Sequence, residues 1–156
     1  MRVSSGWWGI VLAALVGGPV QADTPEMVVT APWVRAVPPV SSMTAGYLVL
    51  ENRGSRPGVL LAAESPDFDA VELHRTVEVD GLSRMVAQER VEIPPGARLV
   101  LEPGGYHLML MGFKRPLEPG DAVRLTLRFD GGYALEVSAP VATGADADPG
   151  HVHHHQ

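Results

Sequence analysis

Four residues in the chain have types and spacing that could do chemistry: His74, Met85, His107 and Met109. Ten residues separate His74 from Met85, twenty-one separate Met85 from His107, and one separates His107 from Met109. Two imidazoles and two thioethers make a soft, neutral donor set. Such a set suits Cu(I) better than zinc, calcium or magnesium. The chain has no cysteine, and a blue-copper electron-transfer centre needs a Cys thiolate, so that reading is excluded. Taken singly, each residue has a plainer explanation. A methionine in a β-protein is usually core filler, and a histidine is more often a surface or satisfied polar group than a ligand. A His-Leu-Met-Leu-Met strand could also be buried on both faces. The donors become a site only if the elements that carry them bring them together.

Those elements read as strands. Short segments of apolar alternation occupy Tyr47–Asn52, Gly58–Ala63, Ala70–Val79, Arg98–Leu101, Tyr106–Met111, Ala122–Phe129 and Tyr133–Ser138. Turn signals such as Asn52-Arg53-Gly54, Asp80-Gly81, Pro103-Gly104-Gly105 and Asp130-Gly131-Gly132 separate them. Many short strands at this spacing predict an all-β sandwich or barrel. No segment of helical period has useful length after the leader.

Asp80-Gly81 is a two-residue hairpin signal. It pairs Val79 with Leu82, hence Thr76 with Met85 and His74 with Ala87. Met85 and His74 then share a face, diagonally across the pair. On the first strand Val71, Leu73, Val77 and Val79 form the apolar face, and Glu72, His74, Thr76 and Glu78 the wetter one. Arg84 breaks the alternation on the partner strand, which predicts a possible bulge there. In the second segment, Tyr106, Leu108 and Leu110 are the natural core set. His107, Met109 and Met111 are left on the opposite face. If the two elements are neighbours, all four donors converge on an exposed sheet face, with Met111 as a spare donor or simple packing.

The 156 residues suffice for one domain with a real core. The opening has a basic start at Arg2, an apolar stretch from Trp7 to about Val16, and small residues ending at Ala22. This is a signal-peptide pattern, too short for a convincing span. We divide the chain into a signal peptide (1–22), one β-domain (23–142) and a His-rich tail (143–156). Formal charge is −6 without a basic cluster, which argues against nucleic acid. No Ser-His-Asp arrangement, paired-carboxylate signature or HExxH points to an enzyme. In the tail, His151, His153, His154 and His155 form an accessory candidate. Clustered imidazoles bind Cu(II), Ni(II) or Zn(II); a tag remnant or inert polar end is the alternative.

The spacing His74-x10-Met85-x21-His107-x-Met109 resembles the copper-binding motif of the periplasmic copper chaperone family PCu(A)C. Trp33-Val34-Arg35-Ala36, Ala45-Gly46-Tyr47-Leu48, Val71-Glu72-Leu73-His74 and Pro103-Gly104-Gly105-Tyr106-His107-Leu108-Met109-Leu110-Met111-Gly112 resemble its surrounding segments. The likeness runs from Ala31 to Val141. Arg75 and Thr76 follow His74 where family members often carry a Met or Glu beside the first His. The resemblance implies a cupredoxin-like Greek-key sandwich with Cu(I) held near the surface by the four side chains. It implies copper carriage in the periplasm toward cytochrome c oxidase. The expected partner is the oxidase's copper-site subunit or another periplasmic copper chaperone, with the chaperone itself a monomer lacking a membrane span. A copper-sequestering tolerance protein, or a β-sandwich interaction module that binds no metal, remains as the alternative.

Overall fold

A computed structural model describes residues 26–144. The signal-peptide reading and the four tail histidines lie outside the described residues. Ten strands follow one another: β1 (Met27–Arg35), β2 (Met43–Asn52), β3 (Gly58–Glu64), β4 (Phe68–Val79), β5 (Leu82–Ala87), β6 (Val91–Ile93), β7 (Arg98–Leu101), β8 (Tyr106–Phe113), β9 (Ala122–Phe129) and β10 (Ala134–Ala142). No α-helix occurs among the described residues, so none is long and apolar enough to cross a membrane. The all-β expectation is borne out.

Hydrogen bonding links the strands in the order β5-β4-β8-β7-β2-β1-β10-β9-β3-β6, with β8 also pairing β2. The pairs are antiparallel except β1–β10 and β7–β8. Strands distant in sequence thus become neighbours, β4 beside β8 above all. The short β1–β10 contact joins two sheets. One holds β1, β2, β4, β5, β7 and β8; the other holds β3, β6, β9 and β10. Their inward residues form a single core: Leu48, Leu73, Leu108 and Leu110 from the first sheet meet Leu60, Val123, Leu125 and Leu127 from the second. Each fully buried aliphatic side chain contributes about 1.5–3 kcal/mol. Period-two alternation makes this possible, because one face of each strand can be wholly apolar. Asn52 is the fully buried polar exception. It donates to the carbonyls of Arg56 (2.7 Å) and Ile93 (2.9 Å) and accepts from Gly54 N–H (3.0 Å), so its amide is satisfied.

The β4–β5 hairpin has the register read from Asp80-Gly81: Val79 pairs with Leu82, Thr76 with Met85 and His74 with Ala87. Asp80 and Gly81 have φ of 53° and 75°, the left-handed pair that a type I′ turn requires. The bulge at Arg84 does not occur, since Val77 pairs with Arg84 in unbroken register. β5 is the outermost strand, and all six of its residues are exposed. It has no buried face to protect, so an arginine can interrupt the alternation without shifting the ladder.

Candidate metal centre

The site is assembled by β8, which lies between β4 and β2. Across β4–β8, His74 pairs with His107, Glu72 with Met109 and Ala70 with Met111. Across β2–β8, Ala45 pairs with Met109 and Met43 with Met111. Across β4–β5, Met85 pairs with Thr76, one step diagonal from His74. Directly paired residues point to the same side of a sheet. His74, His107, Met85, Met109, Met111 and Met43 therefore share the outward face, while Leu73, Leu108 and Leu110 turn into the core. Both histidines that precede the tail, and four of the chain's six methionines, meet on this one face.

The two imidazoles stand opposite one another, ring centroids 5.9 Å apart at an interplanar angle of 60°. Nε2 of His74 lies 2.8 Å from Oε2 of Glu72, and Nδ1 of His107 lies 3.2 Å from the carbonyl oxygen of Gly105. Each contact makes that ring nitrogen the N–H donor. The remaining nitrogens, Nδ1 of His74 and Nε2 of His107, are buried without a hydrogen-bond partner. An orphaned buried acceptor costs about 1–3 kcal/mol. One nitrogen held by a carboxylate or carbonyl, with the other open, is how metal-ligating imidazoles are oriented. Among the described residues no three His, Cys, Asp or Glu side chains group to hold a metal ion. The side chains that share the face with this pair include the thioethers of Met85 and Met109.

Exposure grades across the face. His107 is only 3% exposed, less than the exposed sheet face expected from the sequence, because β8 has neighbours on both sides. The His74 side chain is 15% exposed, Met109 and Met111 are half-buried, and Met85 on the edge strand is 60% exposed. On β2 the same face continues from Ala45 to Tyr47, which is buried and packs on Trp33 with ring centroids 4.6 Å apart. Burial raises the Tyr47 phenol above its usual range, opposed by the Arg35 guanidinium above the ring.

Local chain features fix the donors. The Gly105 carbonyl that orients His107 also accepts the Thr76 N–H at 3.0 Å, tying β4 to the turn before β8. Gly46 pairs with Leu108 beneath the site, where an added Cβ would approach Leu110 Cδ1 to 3.2 Å. Gly112 has φ of 69°, and a side chain there would collide with Asp69. Sequence reasoning missed two contributors, Glu72 and the Gly105 carbonyl, and did not place Met43 on this face. Glu72 was legible as the same-face neighbour of His74 two residues away. Met43 was not, because the β2–β8 register depends on long-range pairing.

The family model LpqE-like ("Putative lipoprotein LpqE-like") matches residues 27–141. This chain belongs to that family. "Putative lipoprotein Lxx21020" of Leifsonia xyli is 39% identical over 129 residues, covering 79% of this chain and 76% of the relative. Among solved structures, the solution structure of CuI-DR1885 from Deinococcus radiodurans is similar at 35% identity and TM-score 0.60, covering 76% of this chain and 77% of that one. A copper-bound PCuAC domain from PmoF2 matches at 24% identity and TM-score 0.62, covering 75% and 92% respectively, and bears on the fold alone. The resemblance to the PCu(A)C family is borne out, and with it the cupredoxin-like fold. The Deinococcus radiodurans structure is of a Cu(I) form, and the likeness to it supports a copper chaperone role for this chain. The family's lipoprotein description agrees with export.

Proposed function

We propose that the protein is a periplasmic copper chaperone that binds Cu(I) through His74, Met85, His107 and Met109 and delivers it toward the copper centres of cytochrome c oxidase. The observation that carries this reading is the pair of facing imidazoles, each with one nitrogen tethered and the other buried without a partner. Neutral imidazole and thioether ligands need no thiolate, which would be open to oxidation outside the cytoplasm. Thioethers favour Cu(I). With Met85 at the exposed edge and His107 enclosed, one side of the donor set is open to a partner's ligands, as stepwise transfer requires. The recipient is the oxidase's copper-site subunit or another periplasmic copper chaperone.

The test is competition for Cu(I) against a chromophoric chelator. Wild type is expected to hold one equivalent tightly, and Met109→Ala to lose affinity by at least about tenfold. No tight equivalent, or no effect of the substitution, would favour a β-sandwich module that binds no metal. Transfer to the isolated copper-binding fragment of an oxidase separates delivery from sequestration. The accessory role proposed for His151, His153, His154 and His155 is Cu(II) capture. Deleting residues 143–156 should weaken Cu(II) binding and leave Cu(I) binding intact.

A further inference from the structure

The outward face holds more sulfur than one Cu(I) site needs. Beyond the His74–His107 row and the Glu72–Met109–Ala45 row comes a third, Ala70–Met111–Met43. Met43 and Met111 are directly paired across β2–β8, so their Cβ atoms stand about 5 Å apart. Met109 and Met111 are neighbours along β8, about 7 Å apart at the Cα atoms, within reach of side chains with three rotatable bonds. Met43 is 48% exposed. The row carries no charged side chain and no imidazole. Ala70 stands beside Met111 on β4 and Ala45 beside Met109 on β2, with Glu72 on the other side of Met109. The row is fixed in place by the Gly112 N–H, which donates to the Ser42 carbonyl at 2.9 Å.

We infer that Met43 and Met111 form a second, weaker Cu(I) station beside the His/Met site, through which copper enters or leaves it. The inference rests on the proposed function, since a station serves a main site. Two thioethers select Cu(I) over Cu(II) and zinc, and with only two such donors the ion is held loosely. Met109 adjoins both sets and can bridge them as the ion moves. Copper then steps between overlapping donors rather than leaving the protein in one event.

The experiment is anaerobic Cu(I) titration of the full chain carrying 13C-methyl methionine. The first equivalent is expected to shift the Met85 and Met109 methyls. Excess Cu(I) should then shift Met43 and Met111 together. Met43→Leu keeps volume and the apolar face. It should weaken that second event at least about tenfold, while the first equivalent changes by less than about twofold because its donors are intact. Transfer of the first equivalent to an external chelator should also slow in Met43→Leu and in Met111→Leu. Unmoved Met43 and Met111 methyls in excess Cu(I), or a Met111 shift that persists unchanged in Met43→Leu, would overturn the inference. A first equivalent that leaves the Met85 and Met109 methyls and both imidazoles unmoved would instead overturn the proposed main site.

Discussion

The two sheets obey the same alternation but use their outward faces differently. On the β9–β10 side, Val123, Leu125, Leu127, Val137 and Ala139 point inward, and Arg124, Arg128, Glu136 and Ser138 face solvent. Arg128 makes a paired contact to Glu64 on β3, with both N–O distances 2.8 Å. That face is a solvated exterior, and Arg128 and Glu64 pair across its strands. On the β4–β8 side, Leu73, Leu108 and Leu110 do the same inward work. The outward positions opposite them hold imidazoles and thioethers, and two buried nitrogens there have no partner. One polar face pairs charged side chains across its strands, and the other leaves two buried imidazole nitrogens unpaired.

Substitutions can break this comparison in order of size. Removing the shared core should cost most: Leu125→Ala and Leu108→Ala are each expected to lose about 2–5 kcal/mol of stability by chemical denaturation. Leu125→Ala should leave the copper stoichiometry of the remaining folded protein unchanged. Next, His107→Ala is expected to weaken Cu(I) binding at least about a hundredfold in chelator competition. It should not destabilise the metal-free fold comparably, because it deletes an unsatisfied buried nitrogen. Glu72→Gln keeps the size but removes the charge that orients His74, and about a tenfold loss of Cu(I) affinity is expected. On the opposite sheet, Arg128→Ala should leave stability by chemical denaturation nearly unchanged, because its ion pair with Glu64 is exposed, and leave copper binding untouched. A copper effect there as large as that of Glu72→Gln would erase the distinction between the faces.

A pH effect sharpens the same contrast. The hydrogen bond from Arg115 (2.7 Å) holds the Asp67 carboxyl below the usual carboxylate range, opposed in part by burial. A depressed folded value means the pair stabilises fully above the unfolded value, about pH 4, and loses that contribution as pH falls through the folded value. Thermal melts of wild type and Asp67→Asn should therefore differ at neutral pH and converge in acid. A constant difference across that range would show that Asp67 acts by packing rather than by charge.

Much of the fold was legible in local pattern. Asp80-Gly81 dictates a hairpin register because only left-handed residues close a two-residue turn compatibly with strand twist. The period-two alternation of residues 106–111 separates Leu108 and Leu110 from His107, Met109 and Met111 because successive side chains point oppositely. The bulge expected at Arg84 was misread, because nothing local reveals that β5 lies at an edge with no buried face.

The sequence by itself determined which side chains would turn away from the core, and the softness of the donors among them. Only the tertiary structure decided that His74 and His107 stand opposite one another, since the β4–β8 pairing joins segments more than thirty residues apart in sequence. It likewise decided that Met43 joins Met111, and that Glu72 and the Gly105 carbonyl each claim one ring nitrogen and leave the other open. Backbone parity is a short-range property of the chain. Which strands become neighbours is settled by burial of the whole core, and no short motif encodes it.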